Sequence, residues 1–334
     1  MKPSFRNPSG FTLVEMIVAV AISVAIAAVL ISVATTALGV WNRSNARWAT
    51  AAVANAVLDQ VQSDLTSATF QSTGGTELAV QILWDADSKR GWDIVSSRFP
   101  KPRDSDKKHV VVTDSDITKC RFGAGGSWLR LFVGTSGDTT KGSNPDSAEN
   151  RGVVRAVSYQ IVRRYQTGER KELAYLLLRA EAGDWETFDE GYDFDEGEYA
   201  NVTNPSGDLG EVGNLRKPNL VQALADHVAD FGVRFYSVEG GRLVPQFPAS
   251  GGAWSDLPDA EFHVQLSPGG VSATPVPAVA EVMVRLITEE GVQKLRLYEN
   301  PPSGISASGV QWWDIVEQHS HVYMRRFWIG NRGP

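Results

Sequence analysis

The feature that most constrains this chain is an apolar run close to its N-terminus. No charged residue occurs between residues 16 and 40. In a helix with a rise of about 1.5 Å per residue, these positions would extend roughly 37 Å, which exceeds the hydrocarbon core of a bilayer at roughly 30 Å. The run therefore predicts a helix that can cross a membrane.

Two features distinguish this run from an ordinary membrane anchor. Glu15 directly precedes it, and an ionised carboxylate carried to mid-bilayer costs about 2.5 to 3.5 kcal/mol, so it requires a partner. The first ten residues are polar and contain Lys2, Arg6 and two prolines. Because proline is poorly tolerated inside a helix, this leader, residues 1–10, is expected to lie outside it.

Residues 10–15 read Gly-Phe-Thr-Leu-Val-Glu and are followed by the long apolar helix. This pattern resembles the class III signal of prepilins, which are the type IV pilins and the pseudopilins of type II secretion. The resemblance implies that a prepilin peptidase cleaves after Gly10 and methylates the new amino group of Phe11. It also implies that Glu15 pairs with the amine of a neighbouring pilin or pseudopilin in a filament, where a carboxylate and an ammonium neutralise each other.

The same resemblance implies a single-pass protein of the inner membrane with its leader in the cytoplasm and its head on the periplasmic side. Basic residues flank the run on both sides, so the charge distribution alone barely favours this orientation. Two other interpretations stay open, an uncleaved anchor and a secretory signal peptide. The signal peptide is disfavoured, because its apolar core usually has about 7 to 15 residues and this run is longer.

Composition limits the function of the remaining chain. The formal net charge is −7 over 334 residues, which argues against a nucleic-acid-binding surface, since phosphate contacts need concentrated basic residues. The single cysteine, Cys120, excludes an intramolecular disulfide and is expected to be a small buried residue.

Beyond the apolar run, the helix is expected to continue and to become amphipathic. Val53, Val57, Val61 and Leu65 recur every fourth residue, which is the spacing of one helix face. Polar and glycine residues from position 67 predict that the helix ends near residues 66–70. We therefore divide the chain into a leader at 1–10, a transmembrane helix at 11–40, its amphipathic continuation at 41–70 and a head at 71–334.

The head is expected to be rich in strands, so the fold class is α+β, a long helix followed by a pilin-like head of antiparallel sheets with short helices. Val, Ile, Leu and aromatic residues bounded by turn residues predict strands at 77–84, 92–99, 109–113, 128–133, 153–165, 173–181, 233–236, 279–286 and 321–329. Helical spacing predicts short helices at 220–231, 289–298 and 310–318.

Two parts of the head extend the resemblance. Residues 224–236, which end in Asp-Phe-Gly-Val-Arg-Phe-Tyr, resemble the helix-then-strand segment of J-type minor pseudopilins and PilW-like minor pilins. Residues 289–334 form a C-terminal extension that is similar to larger prepilin-like proteins of the Verru-Chthon cassette type.

An acidic loop at residues 183–213 is the candidate metal site. Asp193, Asp195, Glu196 and Glu198 are closely spaced carboxylates around a glycine, and calcium takes six to eight oxygen ligands from flexible loops. The spacing does not fit an EF-hand. A solvated acidic loop that binds no cofactor is the other interpretation.

No sequence motif of a hydrolase, phosphate-binding loop or dinucleotide fold is present. This absence favours a structural protein over an enzyme, and the resemblance implies a minor pilin or pseudopilin at or near the tip of a filament. A membrane-anchored binding module, such as an adhesin or carbohydrate-binding head that uses the signal only for export, is the alternative, and an envelope hydrolase is a weaker one.

Overall fold

The computed structural model describes the following residues: 12–70, 74–82, 111–112, 114–123, 125–134, 154–165, 173–200, 212–213, 215–216, 218, 220–248, 261–266, 276–299 and 312–329. The leader, Gly10 and Phe11 lie outside this set. The chain divides into two compact units, residues 1–49 and residues 50–334.

The first element is the long helix α1, Leu13–Thr66. Between residues 50 and 66, one stripe of this helix is buried, and its members recur every three or four residues, as on one face of a helix. Each of them is at most 2% exposed: Ala54, Val57, Leu58, Val61 and Leu65. Val53, which the sequence pattern includes in this face, is 37% exposed, so the buried stripe begins one residue later.

One sheet of the head has six strands, all antiparallel to their neighbours. The strands are β1 (Thr76–Ile82), β2 (Ser127–Gly134), β3 (Val154–Tyr165), β4 (Leu173–Glu181), β5 (Ala223–Asp226) and β8 (Glu261–Gln265). Their order across the sheet is β5-β4-β3-β2-β1-β8. Aliphatic and aromatic residues make up most of β2, β3 and β4, as expected of strands that lie against a core.

The second sheet has four antiparallel strands in the order β10-β9-β6-β7. They are β6 (Val228–Glu239), β7 (Arg242–Phe247), β9 (Val279–Ile287) and β10 (Ser320–Trp328). The hairpin between β6 and β7 turns at Gly240 and Gly241, both of which have positive φ, 56° and 78°. A two-residue hairpin turn needs positive φ at both of its central residues to match the twist of the flanking strands.

Among the described residues, the head also contains the short helices α2 (Asp184–Glu190), α3 (Gly197–Ala200), α4 (Glu289–Glu299) and α5 (Trp312–Gln318). The main core joins residues of both sheets to the buried stripe of α1. A second core cluster contains Trp312 and Trp313, and a third contains Phe132, Phe194 and Tyr199. The predicted fold class, a long apolar N-terminal helix followed by a head of antiparallel sheets with short helices, is confirmed.

The helix predicted at residues 220–231 is wrong. This stretch contains a 3-10 turn at Leu220–Gln222, then β5, then the start of β6. Its apolar residues imitate helical spacing because β6 is buried on both faces and so lacks the alternation that marks a half-buried strand. His227 separates the two strands with a φ of 58°, a left-handed conformation that interrupts a helix and here marks the passage from one sheet to the other.

The acidic loop predicted at 183–213 is also partly wrong, because it contains α2 and α3. The strands β7 and β8 were not predicted; both lie at sheet edges and have few buried residues, so their apolar pattern is weak. The predicted strand at 92–99 lies outside the described residues. Of the strand at 109–113, the structure describes Val111 and Val112, and Val111 forms a single bridge with Arg121.

Candidate functional site

The N-terminus of α1 is closed by a reciprocal pair of side chains. The backbone N–H and the hydroxyl of Thr12 each donate to Oε2 of Glu15, both at 2.9 Å. The backbone N–H of Glu15 donates to Oγ1 of Thr12 at 3.3 Å. This is a capping box, in which two residues three positions apart satisfy amide groups that the helix leaves without partners. The residues that resemble the prepilin signal therefore also begin the helix.

Glu15 retains capacity for a further contact. Both hydrogen bonds from Thr12 use Oε2, so Oε1 accepts no hydrogen bond from the part of the chain that the structure describes. A carboxylate accepts hydrogen bonds at both oxygens. The carboxylate can therefore cap its own helix and receive an ammonium group from another chain at the same time.

The first part of α1 is apolar on every side and is exposed among the residues that the structure describes. Leu13–Trp41 is long and apolar enough to cross a membrane, and none of its most apolar stretch is buried. Its large apolar side chains are between 50% and 76% exposed. Three hydroxyl groups donate within the helix: Ser23 to Ala19 O and Thr36 to Ser32 O, both at 2.8 Å, and Thr35 to Ser32 O at 2.9 Å. In lipid, where no water is available, polar groups must find their hydrogen-bond partners within the protein in this way.

In the head, the second part of α1 carries a buried ionic contact. Asp64 is 4% exposed and accepts two hydrogen bonds from Arg179 on β4, 2.7 Å from Nε to Oδ2 and 3.2 Å from Nη2 to Oδ1. The hydroxyl of Tyr159 on β3 also donates to Asp64. Burial and the neighbouring carboxylate raise the pKa of Tyr159 well above its ordinary value, so the phenol stays protonated and acts as a donor. The bidentate geometry fixes this part of α1 on the six-stranded sheet.

The candidate calcium residues are engaged with protein groups. Asp193 Oδ1 accepts from the backbone N–H of Thr76 at 3.0 Å and from that of Asp195 at 2.9 Å. Asp195 Oδ2 accepts from the hydroxyl of Thr76 at 2.6 Å and lies 3.0 Å from Nδ1 of His263. These contacts fasten the acidic segment to the first residue of β1.

The structure describes no side-chain contact for the other two candidates. Glu196 is exposed, and the side chain of Glu198 lies outside the described set. Within the described residues, no group of three or more His, Cys, Asp or Glu side chains is placed to hold a metal ion. Calcium binding at Asp193, Asp195, Glu196 and Glu198 stays a prediction.

A second set of buried charges, which sequence reasoning missed, lies in the four-stranded sheet. Arg234 on β6 donates to Val112 O at 2.7 Å, and Asp230 on the same strand accepts from the backbone N–H of Phe122 at 3.0 Å. Arg285 on β9 donates to Cys120 O at 3.2 Å. Together they bind the segment 112–122 to the sheet. The signal available in the sequence was the charged residues inside otherwise apolar strands.

Cys120 belongs to this region and is fully buried, as predicted. Its thiol lies 2.6 Å from Nη2 of Arg234. Burial raises the pKa of the Cys120 thiol to about 11, so it stays neutral and unreactive at physiological pH. Nothing in this arrangement resembles a catalytic cysteine, which requires a lowered pKa and access to solvent.

Comparison with known proteins supports the first part of the chain. Residues 5–38 match the family model described as the prokaryotic N-terminal methylation motif. The predicted prepilin-type N-terminus is thereby confirmed. The match ends inside the apolar helix, so the J-type, PilW-like and Verru-Chthon assignments stay predictions.

The similarity to solved structures is weak. Among solved structures, the chain is similar to the type IV-like pilin TTHA1219 from Thermus thermophilus, with 13% identity and a TM-score of 0.25, over 62% of this chain and 78% of that chain. A similarity of this size assigns no function to the head. Among curated protein sequences, none matches this chain.

Proposed function

We propose that this protein is a structural subunit, a minor pilin or pseudopilin, that assembles at or near the tip of a type IV pilus-like filament or a type II secretion pseudopilus. A prepilin peptidase would cleave it after Gly10 and methylate Phe11. The observation that supports the proposal is the methylation motif at residues 5–38, which leads into an apolar helix that its own chain leaves exposed.

An apolar surface of this length must be covered by something other than water. Each large aliphatic side chain that moves from water into an apolar environment contributes about 1.5 to 3 kcal/mol, and this surface carries more than a dozen of them. The inner membrane covers the helix before assembly, with the head on the periplasmic side, and the equivalent helices of other subunits cover it in the filament. Neither step requires chemistry at a catalytic residue.

Glu15 sets the position of each subunit in this mechanism. Its Oε2 closes the helix of its own chain, and its Oε1 is available for the amino group that cleavage creates on a neighbouring subunit. In an apolar surrounding, an unpaired carboxylate and an unpaired ammonium are both costly, so the pair forms at one axial offset. The large head favours a tip position, because a bulky head would crowd a repeating filament.

The processing step is tested by mass spectrometry and N-terminal sequencing of the membrane-extracted protein, produced with and without an active prepilin peptidase. We expect a mature chain that begins at methylated Phe11 only when the peptidase is present. A chain that still carries residues 2–10 in both cases, or one cut beyond residue 33, would contradict the proposal and favour an ordinary anchor or a signal peptide.

The role of Glu15 is tested by two substitutions that separate its functions. Glu15→Gln keeps an oxygen that can cap the helix but removes the charge, whereas Glu15→Ala removes both. We expect both variants to be cleaved and inserted in the membrane but to be lost from sheared filaments. Incorporation of Glu15→Gln at the wild-type level would show that the residue acts only as a helix cap.

A further inference from the structure

The segment directly after the apolar span differs in composition from both of its neighbours. Residues 41–48 read Trp-Asn-Arg-Ser-Asn-Ala-Arg-Trp, and α1 continues through them without a break. Trp41 is 70% exposed and Trp48 is 74% exposed. Seven residues make almost two helical turns, so both rings lie on the same side of the helix, about 10 Å apart along its axis.

The charge of this segment is positive and has no acidic counterpart on the helix nearby. Arg43 and Arg47 are its charged residues, and no Asp or Glu occurs between Glu15 and Asp59. Asp59 itself pairs with Arg325 on β10. By sequence, the two arginines therefore give this part of the helix a positive charge that no acidic residue of the same stretch balances.

The length of the span places this segment in a headgroup layer. The 26 steps from Glu15 to Trp41 extend about 39 Å, compared with a hydrocarbon core of roughly 30 Å and a whole bilayer of about 40 to 45 Å. With Glu15 in one headgroup layer, Trp41 thus lies at the boundary of the opposite one. Side chains on a helix tilt towards its N-terminus, so those of Arg47 and Trp48 extend back towards the membrane.

We propose that residues 41–48 form an interfacial anchor that binds the anionic phospholipid headgroups of the leaflet at the C-terminal end of the span. The indole rings occupy the boundary between hydrocarbon and headgroups, where Trp is enriched in membrane proteins. Arg43 and Arg47 bind lipid phosphates, for which the guanidinium group is suited. The anchor sets the depth of the helix and thereby holds Glu15 in the opposite headgroup layer. This inference rests on the membrane insertion in the proposed function but not on filament assembly.

The test uses the full chain in proteoliposomes of phosphatidylcholine and phosphatidylglycerol. In a Cys120→Ala background, Asn45→Cys carries a bimane fluorophore, and the quenching nitroxide is attached to the headgroup of either lipid. Each basic residue near an anionic membrane surface raises the affinity for that surface several-fold. We therefore expect nitroxide on phosphatidylglycerol to quench the fluorophore several-fold more strongly than nitroxide on phosphatidylcholine. In the double variant Arg43→Gln/Arg47→Gln, the ratio should fall to about one.

Two controls separate the possible outcomes. The variant Trp41→Ala/Trp48→Ala should keep the lipid preference but shift the fluorophore away from the bilayer centre in a depth measurement. Bimane at Ala28→Cys, in mid-span, should be quenched by nitroxides deep in the acyl chains of both lipids equally. Absence of that quenching would mean that the chain is not inserted, which would overturn the anchor and the proposed function together.

Two other results would overturn the anchor alone. Equal quenching by both lipids at residue 45 would exclude a preference for anionic headgroups. Quenching that decreases as the ratio of protein to lipid rises would show that a helix of another copy covers the segment instead.

Discussion

The two parts of α1 have the same backbone conformation but opposite surroundings. From Leu13 to Trp41, large apolar side chains are at least 50% exposed on all sides of the helix. From residue 50 to residue 66, one stripe is at most 2% exposed, and the other faces carry polar residues together with exposed Ala52, Val53 and Ala56. The first part exposes large apolar residues all round, whereas the second buries most of its large apolar residues in one stripe.

This difference shows where the stability of each part must come from. An isolated helix gains little in water from its hydrogen bonds alone, because most helical stability in proteins comes from packing of an apolar face. The head of its own chain supplies that packing for residues 50–66. For residues 13–41, the packing must come from outside the chain, from lipid or from other helices. Substitutions in the two parts should therefore affect different measurements.

The largest effect is expected at the buried ionic contact of the second part. Asp64→Ala would take a buried carboxylate away from the half-buried Arg179, which keeps its contact with Glu181. Breaking a buried pair costs about 3 to 5 kcal/mol, so we expect a loss near the lower end of that range. Chemical unfolding of the full chain in micelles, followed by tryptophan fluorescence, should show this loss. The matched control is Asp59→Ala, whose side chain is 68% exposed and pairs with Arg325; an exposed pair contributes about 1 kcal/mol or less. Equal losses in the two variants would contradict the assigned role of Asp64.

A paired truncation of leucine compares the two parts directly. Leu65→Ala removes a fully buried side chain and should lower the free energy of unfolding of the head by about 2 to 5 kcal/mol. Leu30 is 63% exposed, so Leu30→Ala creates no buried cavity and should leave that free energy unchanged. A loss of similar size in both variants would mean that residues 13–41 are covered by their own chain.

The long helix was predictable because its signals are local. The uncharged run, the four-residue apolar repeat and the polar residues from position 67 are all read from neighbouring positions, and α1 ends where they indicate. Strands rich in apolar residues, such as β4 and β9, were predicted within one residue of their observed bounds. The prepilin-type N-terminus was recognised for the same reason, since its signal is a short contiguous motif. The cap formed by Thr12 and Glu15 was not predicted, and the role of Glu15 in assembly stays a prediction.

The features that the sequence did not predict depend on contacts between residues that are distant along the chain. Burial of both faces of β6 by two different layers removes the alternation that identifies a strand. The contact of Asp64 with Arg179 joins residues 115 positions apart, and no spacing rule within one element can reveal it. Similarly, Asp193 and Asp195 were considered only as possible metal ligands, because nothing in the sequence places Thr76 beside them.

Asp230, on β6 of the head, is a carboxylate that is completely buried. Burial raises the pKa of Asp230 to about 7, against the opposing effect of Arg285. Because the folded-state pKa lies above the unfolded one, the folded state binds the proton more tightly, and the contribution of Asp230 to stability is greatest below about pH 4. It declines as the pH rises towards 7, by about 2 to 3 kcal/mol between pH 5 and 7.

Asp230→Asn should remove this dependence while keeping an acceptor for the N–H of Phe122. The measurement is the difference in unfolding free energy between wild type and variant across that pH range. Asp226→Asn, at an exposed position on β5, is the control and should follow the wild-type profile. Parallel profiles for wild type and Asp230→Asn would contradict the raised pKa.

The smallest effect is expected at the cap of the exposed part. Thr12→Val removes the hydroxyl that donates to Glu15 and accepts from its backbone N–H, and loss of such a cap costs about 1 kcal/mol. Amide hydrogen exchange at residue 15, measured in micelles, should accelerate roughly fivefold, since about 1.4 kcal/mol corresponds to a factor of ten.

Ser23→Ala is the control, because its hydroxyl bonds to Ala19 O in mid-helix, where the backbone hydrogen bonds of the helix stay complete. The acceleration should be confined to the first turn, because a cap acts on the amide groups of the turn that it closes. Exchange that rises along the whole span, or not at all at residue 15, would show that the cap is not what begins this helix.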